Sequence, residues 1–126
     1  MKKIRFPKEL REKWLKALRS GKYRQGIGEL RTDNDNSYCC LGVLCDLYNK
    51  KLWKNTDSEI PLFLDKDSLL PEEVMKWAGL DNEDPILSPK LANKIEDEYD
   101  DSGRASNLND NGYTFGEIAK FIERNL

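Results

Sequence analysis

Apolar positions recur three and four residues apart along most of this chain. Leu10, Trp14, Ala17 and Leu18 form one such stripe, and Pro7 suits the first turn of the helix they predict. Gly21 is placed to close that helix in a left-handed cap. Leu41, Val43, Leu44, Leu47 and Tyr48 predict a second helix, the most apolar and so the centre of the core, running out at Asn49-Lys50-Lys51. A glycine inside a helix costs about 1 kcal/mol against alanine, so Gly42 predicts close packing against that helix. Pro71 to Ala78 predicts a third, with Val74, Met75 and Trp77 apolar and Gly79 closing it. Ser88-Pro89 reads as an N-cap and first turn, followed by a face of Leu91, Ala92, Ile95 and Tyr99. The last helix opens on a capping box, Thr114-x-x-Glu117, with Phe115, Ile118, Ala119 and Ile122 as its stripe.

Between the helices the pattern changes. Gly26 and Gly28 argue against helix from Lys22 to Arg31. Glu29–Thr32 and Ser37–Cys39 flank Asp33-Asn34-Asp35-Asn36, which is turn chemistry, and predict a hairpin. Residues 52–68 read as an irregular connection with one short strand, on an edge because of Pro61. Leu108 to Gly112 reads as a turn. The expected fold is mainly α, a small α+β arrangement of four or so short helices with one short β-hairpin around residues 29–39. With 126 residues and no internal repeat or linker, it forms a single domain spanning residues 1–126.

Composition sharpens this. Charged residues make up 35% of the chain, yet three Trp, five Tyr and four Phe argue against disorder. There is no apolar run of membrane-spanning length, and Met1 to Pro7 has no apolar segment of the secretory kind, so a cytoplasmic location is expected. Three cysteines, two of them adjacent, suit a reducing compartment with free thiols. Charge is uneven. Residues 1–31 carry eleven Lys/Arg against three carboxylates, a formal +8, and the remainder carries ten against twenty, −10. The basic third faces either an anionic ligand or an acidic surface.

Little points to catalysis. The absence of histidine removes the commonest general base and zinc partner. Cys39, Cys40 and Cys45 lack zinc-site spacing; they read as core thiols or, beside the basic segment, as a reactive one. Gly26-Ile27-Gly28 lacks the context of a dinucleotide fingerprint and is either a turn or a phosphate-presenting loop. The acidic runs 72–73, 96–98 and 100–101 miss calcium-loop spacing and read as solvated faces and caps, so no metal is expected. Thr114 to Ala119 looks like the opening helix of a helix-turn-helix, but no recognition helix follows, and the overall pI near 5.3 disfavours duplex nucleic acid. A small phosphate-bearing ligand fits better. Arg19, Lys22, Arg24 and Arg31 would meet its charge, and Trp14, Tyr23 and Tyr38 would stack a base.

Several motifs occur together: Trp14-Leu15-x-Ala17-Leu18-x-Ser20-Gly21-x-Tyr23-x-Gln25-Gly26, Tyr38 to Cys45 (YCCLGVLC), Leu70-Pro71 with Trp77-x-Gly79-Leu80, and Leu108-Asn109-Asp110 with Phe115-x-x-Ile118-Ala119. In order and spacing they resemble a widespread family of short proteins from tailed bacteriophages and prophages, overlapping the phage immune-evasion sponges. The chain departs from that pattern between about Leu87 and Asn107. Such sponges hold cyclic dinucleotide or related signals away from host defence effectors such as those of CBASS. The resemblance implies a homo-oligomer that binds a cyclic di- or oligonucleotide near subunit interfaces, with no turnover, no cofactor and no metal. Joining motif positions to the chemistry above, the candidate ligand-binding residues are Tyr23 to stack, Arg24 and Arg31 to meet phosphates, and Gln25, Asn109 and Asp110 to read base edges. The alternative is a module that clamps a host or virion protein through Trp53 and Phe63. A third reading is an enzyme acting on a nucleotide through Cys39 or Cys40.

Overall fold

The computed structural model describes residues 8–33, 35–56, 60–80, 82–87 and 103–125. The helix expected from Ser88 onward, with its acidic runs, lies outside the described residues. The remainder is a small α+β fold, mainly helical, as the apolar periodicity predicts.

Helix α1 (Lys8–Arg19) buries Leu10, Trp14, Leu15 and Leu18 on one face. Trp14 is fully buried, and its indole Nε1 donates to the Cys40 carbonyl at 3.0 Å, tying α1 to the start of the next helix. That helix, α2 (Cys40–Asn49), buries every residue from Cys40 to Asp46 and is the centre of the core. Its N-cap is Cys39, whose sulfur accepts from the Gly42 N–H at 3.4 Å. The close approach expected at Gly42 is the backbone of Leu30: a Cβ there would fall 1.8 Å from the Leu30 carbonyl oxygen. That same carbonyl accepts from Cys39 N–H at 3.2 Å.

The hairpin forms where the turn residues place it. Strands β2 (Arg31–Thr32) and β3 (Ser37–Tyr38) are antiparallel, with Arg31 opposite Tyr38 and Thr32 opposite Ser37. A third strand, β1 (Arg24–Gln25), adds parallel to β3, giving the order β1-β3-β2. A two-residue strand with no alternating pattern leaves no trace in sequence. After α2 a 3₁₀ turn (Lys50–Leu52) leads into β4 (Trp53–Lys54), which pairs antiparallel with β5 (Leu62–Phe63). The irregular connection thus holds two short strands where one was expected, with Pro61 just before the second.

Helix α3 (Glu72–Ala78) buries Val74 and Ala78 and ends at Gly79 in the left-handed region. Trp77, expected on its apolar face, stands 37% exposed. The segment read as a turn from Leu108 is instead the end of a helix, α4 (Ala105–Asp110), which buries Ala105, Leu108 and Asn109. Its N-terminus is capped from a distance. Asp84 accepts from the Ser106 backbone N–H at 2.9 Å and from the Ser106 hydroxyl, and Arg104 itself supplies no side-chain cap. The final helix, α5 (Phe115–Asn125), carries the expected capping box in both directions. Thr114 N–H donates to Glu117 Oε1 at 3.0 Å and Glu117 N–H to Thr114 Oγ1 at 3.1 Å. It packs on α1 and buries Phe115, Ile118, Ala119 and Ile122.

Candidate functional site

The segment from Lys22 to Arg31 is where the sequence places most of its candidate residues. Tyr23 donates its hydroxyl proton to Asp46 Oδ2 at 2.5 Å, and Trp53 Nε1 donates to Oδ1 of the same carboxylate at 3.0 Å. Burial, then the hydrogen bond to Asp46 and its negative charge, push the Tyr23 phenol well above its ordinary value. Its ring meets Tyr38 edge-on at 5.0 Å, Tyr38 meets Trp53 at 6.0 Å, and Trp53 meets Phe63 at 4.8 Å. A pile of rings therefore runs from Tyr23, just before β1, to β5.

Arg31 belongs to this pile. Its guanidinium carbon lies 5.3 Å from the Tyr38 ring centre and 5.4 Å from that of Trp53. Nη2 donates to Asn36 Oδ1 at 3.2 Å and stands 3.8 Å from Asp33 Oδ1. Its charge is thus met in part from within the chain, and this geometry gives Arg31 a packing role without supporting the phosphate role expected of it. Phe63 is fully buried and Trp53 half-buried, so neither is the exposed protein-binding anchor expected of it. Trp14, on the buried face of α1, is not a base-stacking surface either, and Arg19 pairs with Glu123 at 3.3 Å.

Gln25, Asn109 and Asp110 do come together, 84 residues apart in sequence, but they bind one another and the backbone. Gln25 Nε2 donates to Asn109 Oδ1 at 3.0 Å and to the Tyr113 carbonyl at 2.8 Å, while Gln25 Oε1 accepts from Phe115 N–H at 3.0 Å. Asn109 Oδ1 also accepts from Cys40 N–H at 3.2 Å, and Nδ2 donates to the Gly26 carbonyl at 2.7 Å and to Asp110 Oδ1 at 3.3 Å. Asp110 Oδ1 accepts from Gly28 N–H at 2.9 Å. Every hydrogen-bonding position of the buried Asn109 amide is therefore filled. The two amides latch β1 to the starts of α2 and α5, an internal role that gives no support to the base reading expected of them.

A basic groove lies between α1 and the end of α2. Lys13, Lys16, Lys22 and Lys50 line it together with Ala17, Ser20, Leu47 and Tyr23, and it encloses about 330 Å³. No carboxylate is among its lining residues. Tyr23, held by Asp46, and Lys22 are the residues expected at a ligand that this groove retains. Lys13, Lys16 and Lys50 were not singled out from sequence. The available signal was the i, i+3 spacing of Lys13 and Lys16 on one face of α1, but the approach of Lys50 depends on how α2 crosses that face. Arg24 is exposed on β1, next to a second hollow of about 610 Å³ lined by Ile27, Ile60, Thr32, Asp35 and Ser37 among others.

The cysteines are free and buried. Burial raises Cys39 from 9.0 to about 12 and holds Cys40 and Cys45 well above the ordinary thiol range, so none offers a thiolate at neutral pH. Among the described residues, no three His, Cys, Asp or Glu side chains gather as a metal-binding set, and no helix is long and apolar enough to cross a membrane.

The sequence model of a family described as a domain of unknown function (DUF8296) matches residues 6–126. The chain belongs to that family. No curated protein and no solved structure matches it. The family match covers α1, the latch, the groove and both hairpins, so every feature described above falls inside the DUF8296 domain.

Proposed function

We propose that this protein binds and holds a small phosphate-bearing ligand, a cyclic di- or oligonucleotide, without cleaving it. It would act as a phage-encoded immune-evasion protein in the host cytoplasm, as a homo-oligomer. The observation that carries the binding half of this reading is the groove of Lys13, Lys16, Lys22 and Lys50 beside an apolar strip of Ala17, Leu47 and Tyr23. Four ammonium groups around one concavity repel one another unless an anion neutralises them, and a nucleotide offers phosphates for the rim and a ring for Tyr23. Its volume falls within the range of small-molecule sites. The phage and anti-defence setting is supported by the motif resemblance alone. The protein-clamp alternative has less behind it, because the side chains named as its anchors face inward.

A thermal-shift screen against a panel of cyclic di- and trinucleotides tests the proposal, with mass spectrometry of whatever denaturation releases. A ligand at about 100 times its Kd adds about 2.7 kcal/mol of stability. The expected result is a rise in melting temperature, recovery of the ligand at unchanged mass, and loss of the shift in the Lys16→Ala/Lys22→Ala double variant. A flat response to the whole panel overturns the proposal, and so does recovery of a cleaved ligand.

A further inference from the structure

The second hollow follows the groove along the chain: Tyr23 lines the groove, and Gln25 and Gly26, two and three residues further on, line the hollow.

Register places Arg24 on the same face of the sheet as two of the hollow's polar groups. Arg24 and Thr32 both stand in register with Ser37 across β3, and registered partners project to the same side. Asp35 closes over this face. Its Oδ1 accepts from Ser37 Oγ at 2.7 Å and Thr32 Oγ1 at 2.8 Å, and the two hydroxyl oxygens are themselves 2.7 Å apart. Three oxygen–oxygen contacts share two hydroxyl protons. Either both hydroxyls donate to Oδ1, or one hydroxyl donates to the other and only that other donates to Oδ1. The second arrangement frees a lone pair on Oδ1 with no movement of heavy atoms. Among the described residues no side chain donates to Oδ2, and the Asp35 backbone N–H also supports the carboxylate. The carboxylate can therefore offer an acceptor on each oxygen, side by side.

The walls differ in character from this acceptor pair. Ile27 is 66% exposed, and with Ile60 it gives the hollow apolar sides. A planar ring presenting two parallel N–H groups along one edge matches both features. Among nucleobases guanine has that edge, N1–H beside the N2 amino group. Adenine turns one donor and one acceptor toward the same place, and its ring nitrogen would face a carboxylate oxygen. The Ser37 and Thr32 hydroxyls and the nearby Arg24 charge hold the Asp35 carboxyl below its usual range, which keeps it an acceptor at neutral pH.

We propose that this hollow reads a guanine base of the bound nucleotide, with Asp35 as the residue that sets base specificity and Arg24 facing an adjoining phosphate. The inference rests on the nucleotide-binding reading above. Isothermal titration of the full chain with cyclic di-guanylate and cyclic di-adenylate tests it, using the wild type, Asp35→Asn and Asp35→Ala. Asp35→Asn replaces one acceptor with a donor, and Asp35→Ala removes both acceptors. Wild-type protein should prefer the guanylate. Each variant should lose guanylate affinity by about tenfold or more, the discrimination typical of one bidentate base contact, and should bind adenylate as the wild type does. Circular dichroism melts confirm that the variants are folded. Equal wild-type affinity for the two probes, binding confined to adenylates, or unchanged guanylate affinity in both variants overturns the guanine site and leaves nucleotide binding standing. Absence of binding by every member of the wider panel overturns both.

Discussion

Arg24 and Arg31 look alike in the sequence, two cations on either side of a glycine loop, and the fold separates their roles. Arg24 stands exposed on an edge strand. Arg31 lies against Tyr38 and Trp53 with its charge met by Asn36 and Asp33. A guanidinium over two rings contributes about 0.5–2 kcal/mol, whereas exposed positions usually change stability by less than about 0.5 kcal/mol. Urea melts should therefore show Arg31→Ala losing about 1–2 kcal/mol and Arg24→Ala about 0.5 kcal/mol or less. Equal small losses would take Arg31 out of the aromatic pile. Neither role was legible in the chain, because Trp53 reaches Arg31 only through the packing of β4 beside β3. Asn109 teaches the same lesson. As part of Leu108-Asn109-Asp110-Asn111-Gly112 it reads as a turn residue, yet it is 1% exposed and its amide serves four partners.

At the scale of elements, among the described residues, the helices with their own signals were legible, and the one without was not. Helix α5 announces itself by a capping box and a stripe, and both are present in the structure. Helix α2 announces itself by its apolar run, and Gly42 marks the approach of Leu30. Helix α4 has six residues, rich in Asn and Ser, and takes its cap from Asp84, 22 residues earlier. Removing an N-cap carboxylate costs about 0.5–2 kcal/mol. Asp84→Ala is expected to lose about that much in denaturant melts and to speed amide exchange over residues 106–110, with exchange in α5 little changed. Unchanged exchange in α4 would mean that Asp84 does not hold its start.

For the whole molecule, the consequence of burying three thiols in one helical neighbourhood is sensitivity to alkali. In an unfolded chain a thiol ionises near 9.0, whereas Cys39 folded ionises at about 12 and the other two are also raised. Above pH 9 the unfolded chain has released protons that the native chain still holds. Unfolding is then favoured as pH rises, and stability that is complete below pH 9 is lost as pH climbs toward the native values. Each thiol contributes about 1.4 kcal/mol per pH unit in that window. Tyr23, raised in the same direction, adds to the loss above its ordinary value of 10.0. Urea midpoints should be level from about pH 7 to 8 and fall steeply from about pH 9. A level profile to about pH 10.5 would show that the thiols are not buried in solution.

What the sequence determined by itself is whatever neighbours in the chain decide: helical periodicity, a hairpin around Asp33 to Asn36, a reciprocal cap at Thr114 and Glu117, and a core centred on residues 40–46. These rest on interactions spanning a few residues, and the residue types alone carry them. The tertiary structure alone decided where charge and amide groups ended up. Four lysines from α1, the loop after it and the end of α2 became one groove, while Gln25 and Asn109 turned inward to latch the elements together. Which cation faces a hollow and which lies under a ring depends on how helices and strands cross. That geometry is set by the packing of side chains distant in sequence, and no local pattern encodes it.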